Sequence, residues 1–456
     1  MKYDARRTAL NILNKFDKNP EPIDKIISNE IDACACFSKK DMALLHALVY
    51  GILRWQKRLD WIIKHFSNTR LRKINPLVLN ILRLGIFQLC FLNKIPSSAA
   101  VNTSVEMAKT FAPPWVVKYV NGLLRNCSRR HDKVTFPNIN ENPVAALATS
   151  KSFPEWLIQR WLNSFGINKT STLCDVINNI PPITVRSNTL KTTRLQLIKS
   201  LEPDVENIEK TKYAPDGICF YKPKKSIDAL ETFQKGWFQV QDEAAQIVTL
   251  LLNPKPGETV LDACAGLGGK TSHIAQAMKN QGNIVALDID SKKLLQLSNA
   301  MNRLGISIVN TYAHDLSFPL QKTLSNKFPA LFDRILLDSP CSGLGVIRRN
   351  PDTKWLLSKK NLIYYSKREK TFLDNLAHLV KPSGILAYAV CSFEQEENEE
   401  VVNYFLEKHS EFEVNLNFTG LSQKVRSLLN KNGYFKSIPH INNMDGFFTV
   451  CFKRFK

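Results

Sequence analysis

From about Trp237 onward the chain alternates short apolar runs with longer amphipathic stretches: ETVLDACAG, NIVALDID, FDRILLDSP, GILAYAVCS and GFFTVCFKR each stand between turn residues or helical periodicity. Apolar runs this short and continuous read as strands buried on both faces. Strands that alternate with helices join as a mostly parallel sheet wrapped by those helices. Such a sheet also dictates where chemistry sits, because ligands bind in the crevice beyond the carboxyl ends of its strands. The residues that follow each run are therefore the first candidates for function.

Upstream the period changes. From Ala5 to about Cys127 apolar residues recur every three or four positions, as in DMALLHALVYGILRWQKRLDWIIKHF, which predicts an all-helical domain over residues 1–140. Pro76, the Ile95-Pro96-Ser97-Ser98 turn and Pro113-Pro114 punctuate it, and PNINENP closes it as a linker. Residues 145–235 pair the helical pattern FPEWLIQRWLNSFG with the strand-like ITVRSNTLK and GICFYKPK, a small α+β module. The expected architecture is multidomain: an all-α domain, the α+β module, and a C-terminal α/β Rossmann-like domain over 236–456. A chain of 456 residues is too long for one ordinary core, so several domains are expected on length alone.

Lys and Arg number 62 against 41 Asp and Glu, a formal charge of +21 whose field attracts polyanions, nucleic acid first among them. The cysteines are scattered, with only Cys34 and Cys36 close together and no C-x-x-C, so reduced thiols and no bound metal are expected. The charged start MKYDARRTALNILNKF has no signal-peptide pattern, and the segment Pro76–Ile95 is interrupted by Asn80, Arg83 and Asn93. A cytoplasmic protein with no membrane partner is the expectation, and Pro76–Ile95 reads as a core helix.

The first run opens into Asp262-Ala263-Cys264-Ala265-Gly266-Leu267-Gly268-Gly269-Lys270-Thr271. Glycines at a strand-to-helix turn let the backbone approach a ligand. A P-loop would need Gly at Cys264 and a dinucleotide fingerprint would need Gly at Thr271, so the loop is neither. The next run ends in Asp288, nineteen residues after Gly269, where a carboxylate can take a ribose hydroxyl. A nucleoside cofactor is indicated. Asp290 is the lesser ribose candidate, and Asp315 in YAHDLSF lies where an adenine would sit.

Two further runs end in thiols: Asp338-Ser339-Pro340-Cys341 and Ala389-Val390-Cys391. If their strands are neighbours, both sulfurs face one crevice. Cytosine C5 becomes nucleophilic only after a thiolate adds at C6, and release then needs a second group to help remove the C5 proton. A carboxyl at Asp338 could hydrogen-bond N3 and the exocyclic amine. A lone Cys after a strand is ordinarily a small buried hydrophobe; two at consecutive strand ends point the other way.

These residues resemble the RsmB type, also called Sun or Fmu, of RNA cytosine-5 methyltransferases, and the resemblance spans nearly the whole chain. DACAGLGGKT is similar to the family's cofactor loop, DSPCSGLGVIRRNPDTKW to its Pro-Cys motif and YAVCSFEQEENEEVV to its second cysteine motif. Gln241-Asp242-Glu243-Ala244-Ala245 and Asp445-Gly446-Phe447-Phe448 match further segments. YGILRW, LRLGIFQL, IPSSAAVNTSVEMAK and YVNGLLRN resemble the NusB-like RNA-binding domain of this branch.

The resemblance implies S-adenosyl-L-methionine as cofactor and 16S ribosomal RNA as partner, naked or in an early small-subunit particle, with cytosine 967 of the customary RNA numbering as target and a monomeric enzyme. It implies Cys391 as nucleophile and Cys341 as the thiol of product release. Cys264, Ala265, Gly266, Leu267, Gly268, Gly269, Lys270, Asp288, Asp315 and Asp338 fall at cofactor positions, and Lys270 is also within the family's substrate reach. Two departures stand out: the usual Ala-Pro-Gly-Gly-Lys-Thr is one residue longer here and lacks its proline, and Val390 replaces a threonine.

A base inside a duplex cannot present C5 and C6 to both reactants, so the target must be unpaired or flipped. Arg348, Arg349 and Lys354, and Arg186 and Lys191 in the module, are candidate phosphate contacts; Trp355 reads as core. Two rivals remain at this stage: a binding-only protein with a vestigial catalytic domain, which the intact thiols, Asp338 and glycine loop disfavour, and a DNA or protein methyltransferase, which the second thiol disfavours.

Overall fold

Each amphipathic repeat of the N-terminal region forms a helix: α1 (Ala5–Lys18), α2 (Ile23–Asp32), α3 (Lys39–Phe66), α4 (Pro76–Phe91), α5 (Ser97–Phe111), α6 (Pro114–Arg130), α7 (Pro143–Ser150) and α8 (Glu155–Asn178). Side-chain caps set the starts: Asp4 accepts from Arg6 N, Ser38 from Asp41 N and Asn142 from Ala145 N, while Asn75 caps α4 with Pro76 in its first turn. The computed structural model describes residues 4–32, 37–320 and 329–455; Cys34 and Cys36 lie outside the described residues. The chain divides into two compact units. One holds the chain up to Asn179 with Ile347–Ser358; the other holds Ile180–Val346 and the chain from Lys359 on.

In the helical unit the apolar stripes meet around Leu48, Ile52, Ile81, Leu84 and Leu124. Two of the polar residues that interrupt Pro76–Ile95 are paired inside it: Arg83 grips both oxygens of Asp60 at 2.7 and 2.8 Å, and Asn80 donates to Asn14 and Asp17 at 2.9 Å; the third, Asn93, is exposed beyond the end of α4. Among the described residues no helix is long and apolar enough to cross a membrane.

Ile347–Ser358 is integral to this unit. Lys354 Nζ donates to Arg54 O, Ser152 O and Asn178 Oδ1 at 3.0, 3.1 and 2.7 Å. Trp355 Nε1 donates to Leu53 O, Asp352 accepts from Ile23 N, and Arg348 O accepts from Arg54. Trp355 packs against the core as expected. Arg348 and Lys354, however, are 3% and 1% exposed, and half-buried Arg349 is also engaged. Lys354 holds remote parts of the helical unit together, and buried Lys354 and Arg348 do not present their charge to RNA.

The second unit carries two sheets. A small antiparallel sheet has the order β2-β3-β1-β4, from β1 (Ile183–Ser187), β2 (Glu206–Lys210), β3 (Gly217–Tyr221) and β4 (Phe238–Val240), with α9 (Arg194–Leu201) over Val185, Ile218 and Phe220. The large sheet contains β5 (Thr259–Asp262), β6 (Asn283–Asp288), β7 (Val309–Ala313), β8 (Phe332–Asp338), β9 (Val380–Val390), β10 (Phe412–Val414), β11 (Phe435–Ser437) and β12 (Phe447–Arg454). Its order is β10-β12-β9-β8-β5-β6-β7, with β11 on β12. Strands β5 to β9 run parallel, and β12 lies antiparallel to β9. Between the small sheet and β5 lie α10 (Glu231–Gln234) and α11 (Glu243–Leu252); α12 (Gly269–Ala277) and α13 (Ser291–Leu304) follow β5 and β6. The chain leaves β5 for β6 and β7 on one side and returns to β8 and β9 on the other. The carboxyl ends of β5 and β8 therefore flank a topological switch point.

The small sheet is fixed to the large one through the remaining cations assigned to RNA. Arg186 is buried and donates to Gln276 at 3.1 Å, Ser272 at 2.8 Å, Gly269 O at 3.1 Å and Gln241. Lys191 Nζ donates to Lys235 O and to Arg303 O in the last turn of α13. Arg186 has no face left for a phosphate, and Lys191 is a helix C-cap.

Candidate active site

Strand pairing brings the thiols together. Asp338 of β8 is in register with Ala389 of β9, and Ser339 N donates to Ala389 O at 2.9 Å, so the next residues of both chains leave the sheet side by side. Cys341 Sγ and Cys391 Sγ are 3.3 Å apart, each partly accessible. The contact with Cys391 and burial, reinforced by Glu397 and Glu369, push the Cys341 thiol well up. Gly345 N donates to Cys391 O at 2.9 Å, and Gly446 N to Gly345 O at 2.8 Å. A Cβ on Gly345 would stand 1.9 Å from Gly446 O, so only glycine lets these two loops meet.

Beneath the thiols Glu397 accepts Ser342 N, Ser342 Oγ and Ser392 Oγ, each at 2.6 Å, while Tyr388 Oη donates to Glu397 O at 2.6 Å. Burial raises the Glu397 carboxyl against the pull of those serines. Beside it lies Glu369, fully buried, which burial and the charge of Glu397 push well up.

The loop after β5 is shaped by carboxylates. Asp288 Oδ2 accepts Gly266 N and Oδ1 accepts Asp290 N, both at 2.9 Å; Ala265 N donates to Leu287 O at 2.7 Å. Gly268 has φ of 81°, and a Cβ there would press on Leu297 at 2.7 Å. That explains how a loop without the proline still turns into α12. Asp290 caps α13 by accepting Lys292 N on Oδ1. Asp315 accepts Ser317 N at 2.9 Å, and this bond holds its half-buried carboxyl below the usual range.

Lys270 Nζ meets Asp338 Oδ2 at 2.6 Å and lies 5.1 Å from the centre of the Phe447 ring. Asp262, at the end of β5, is buried; burial pushes its carboxyl up to about 7 although Thr271 Oγ1 donates to it at 2.7 Å. The Cys264 thiol is pushed well above its usual value by burial and by Asp262, Asp338 and Asp288.

The residues present suit a sulfonium nucleoside. A Cβ built on Gly266 or Gly269 would meet nothing within 4 Å, so bare backbone borders open space. Leu267 and Ile289, 54% and 61% exposed, offer apolar contact on either side, and Asp288, Asp315 and Asp338 supply acceptors and negative charge. Sequence reasoning missed Glu397, Ser342, Ser392 and Phe447. The repeated Cys-Ser at 341–342 and 391–392 was the available signal. It also missed the role of Asp242, which accepts both Ala244 N and Asp445 N and so ties the start of α11 to the turn before β12.

Three family models match the chain: 16S rRNA methyltransferase RsmB/F over residues 249–453, the NusB family over 3–129, and an RsmF/B-like ferredoxin-like domain over 153–227. A Bacillus subtilis protein named "Probable ribosomal RNA small subunit methyltransferase B" is 35% identical over 100% of this chain and 99% of its own length. Ribosomal RNA small subunit methyltransferase B of Salmonella arizonae is 33% identical over 81% of this chain and 82% of its own. The crystal structure of PH0851 superposes with a TM-score of 0.80 at 26% identity, covering 100% of both chains.

Proposed function

Since the chain belongs to the RsmB/F family of 16S rRNA methyltransferases, whose methyl donor is S-adenosylmethionine, we propose that it methylates carbon 5 of one cytosine through a covalent adduct on Cys391. The observation that carries this reading is the 3.3 Å contact of two thiols at adjacent strand ends. Cys391, with Cys341 in contact with it, is assigned the attack because it stands at the family's second cysteine motif. Its thiolate adds to C6 of an unpaired or flipped cytosine, making C5 an enamine-type carbon. Asp338, oriented by Lys270, accepts from the base edge as electrons flow into the ring. When bound, S-adenosylmethionine would supply the methyl group to C5 and leave as the neutral thioether. A base at the thiol pair, Cys341 as thiolate or a water beside it, then takes the C5 proton; the C5–H electron pair re-forms the C5–C6 double bond, and the C6–sulfur bond breaks to free Cys391 as thiolate.

Gly266 to Lys270, with Cys264 and Ala265 preceding them, would hold the donor's amino acid portion, Asp288 its ribose, and Asp315 with Ile289 its base. The RNA partner is 16S rRNA, naked or in an early particle.

The test is transfer of labelled methyl from S-adenosylmethionine to unmodified 16S rRNA by the unaltered protein, Cys391→Ala and Cys341→Ala. Loss of transfer in the first variant and a protein–RNA adduct surviving denaturing electrophoresis in the second are expected. Label reaching cytosine C5 at an undiminished rate in Cys391→Ala sinks the proposal.

A further inference from the structure

The paired Cys-Ser dipeptides converge on a single carboxylate. Glu397 Oε1 takes Ser342 N, and Oε2 takes both Ser342 Oγ and Ser392 Oγ, all at 2.6 Å. Each serine directly follows one of the two cysteines. The β8–β9 ladder ends before the thiols, so the sulfurs are carried by loop segments whose spacing the sheet alone does not fix. We infer that Glu397 is a positioning residue for the thiol pair, clamping the residue after each cysteine so that the two sulfurs stay in contact.

The chemistry calls for a carboxylate. It offers only acceptors, and three donors converge on it. A glutamine of the same length would either turn its NH₂ on Ser342 N or leave the serine hydroxyls without their shared acceptor. Glu397 is itself held, fully buried and with its carbonyl bound by Tyr388 Oη, so the clamp has a rigid base. Among reacting groups, a misplacement of about 1 Å can cost on the order of 100-fold in rate. This inference rests on the reading of Cys391 as nucleophile and Cys341 as the releasing thiol.

The experiment uses the full-length protein, unaltered and as Glu397→Gln and Ser392→Ala. Two rates are measured. One is diamide-driven formation of the Cys341–Cys391 disulfide, mapped by mass spectrometry; the other is methyl transfer to 16S rRNA. In Glu397→Gln the disulfide should form roughly tenfold more slowly, because its geometry is narrow. The kcat should fall by about 100-fold with the KM for S-adenosylmethionine unchanged. Ser392→Ala, which removes one hydroxyl, should show a smaller loss in both rates and decides the matter if Glu397→Gln does not fold. Unchanged disulfide formation in the variants overturns the clamp, whatever happens to transfer. Slowed disulfide formation in a protein that methylates no cytosine at all upholds the clamp and sinks the reaction assigned to Cys391 instead.

Discussion

Lys354 in the helical unit and Glu397 in the sheet unit are both buried ionisable groups with three hydrogen bonds, yet they do opposite kinds of work. The acceptors of Lys354 lie 300, 202 and 176 residues away along the chain, and all belong to the helical unit. It stitches remote stretches of backbone. The donors of Glu397 belong to two residues, each adjacent to a thiol. Burial presses Lys354 towards its neutral form and lifts the Glu397 carboxyl, so both carry a desolvation cost. What differs is where the return appears: in the integrity of one unit, or in the placement of two sulfurs.

The sharpest way to break that contrast is Lys354→Met. It leaves Arg54 O, Ser152 O and Asn178 Oδ1 without a buried donor, which should cost about 3 kcal/mol or more of stability. Urea unfolding measures it, and the transfer rate per folded molecule should hold. A stable but inactive variant would erase the distinction. Next in size is Lys270→Met, which removes the ion pair with Asp338 and the contact over Phe447. Loss of a charge-assisted bond should raise the barrier by roughly 2 kcal/mol, about 30-fold in kcat/KM. Steady-state kinetics with unaltered unfolding midpoints would place this side chain with Glu397 and apart from Lys354.

The smallest effect concerns Asp262, whose folded carboxyl sits at about 7 against an ordinary 3.8. Between those values the folded state binds more protons than the unfolded one, so stability falls as pH rises through that window. The loss should be about 1 kcal/mol between pH 6 and pH 7, and Asp262→Asn should abolish that slope. Chemical denaturation at the two pH values reads it directly.

Much of the site was legible because its information is local. A cysteine at the end of an apolar run stays at a strand end, and parallel neighbours put such ends in one crevice; Cys341 and Cys391 needed nothing more. Asp288 followed from spacing after the glycine loop, and Trp355 from its surroundings. Arg186, Arg348 and Lys354 were misread because charge in a sequence carries no sign of burial. Arg186 finds its partners 55 to 90 residues onward, and Lys354 reaches back across most of the chain. Glu397 was hidden in an acidic run that looks like a solvated helix start. Its meaning depends on Ser342, 55 residues earlier, which only the β8–β9 pairing brings beneath it.

Heredity recombines contiguous stretches, and the helical unit is not one. Ile347–Ser358 is encoded inside the catalytic half, beginning six residues after Cys341, yet it contributes Asp352, Lys354 and Trp355 to the helical interior. A gene fragment ending at Asn179 would be born without them, and a lineage that discarded the first half would be left with a tryptophan and a lysine shaped for an absent host. Exchanging one half alone would break the bonds that join Leu53, Arg54 and Ser152 to residues encoded just after Cys341.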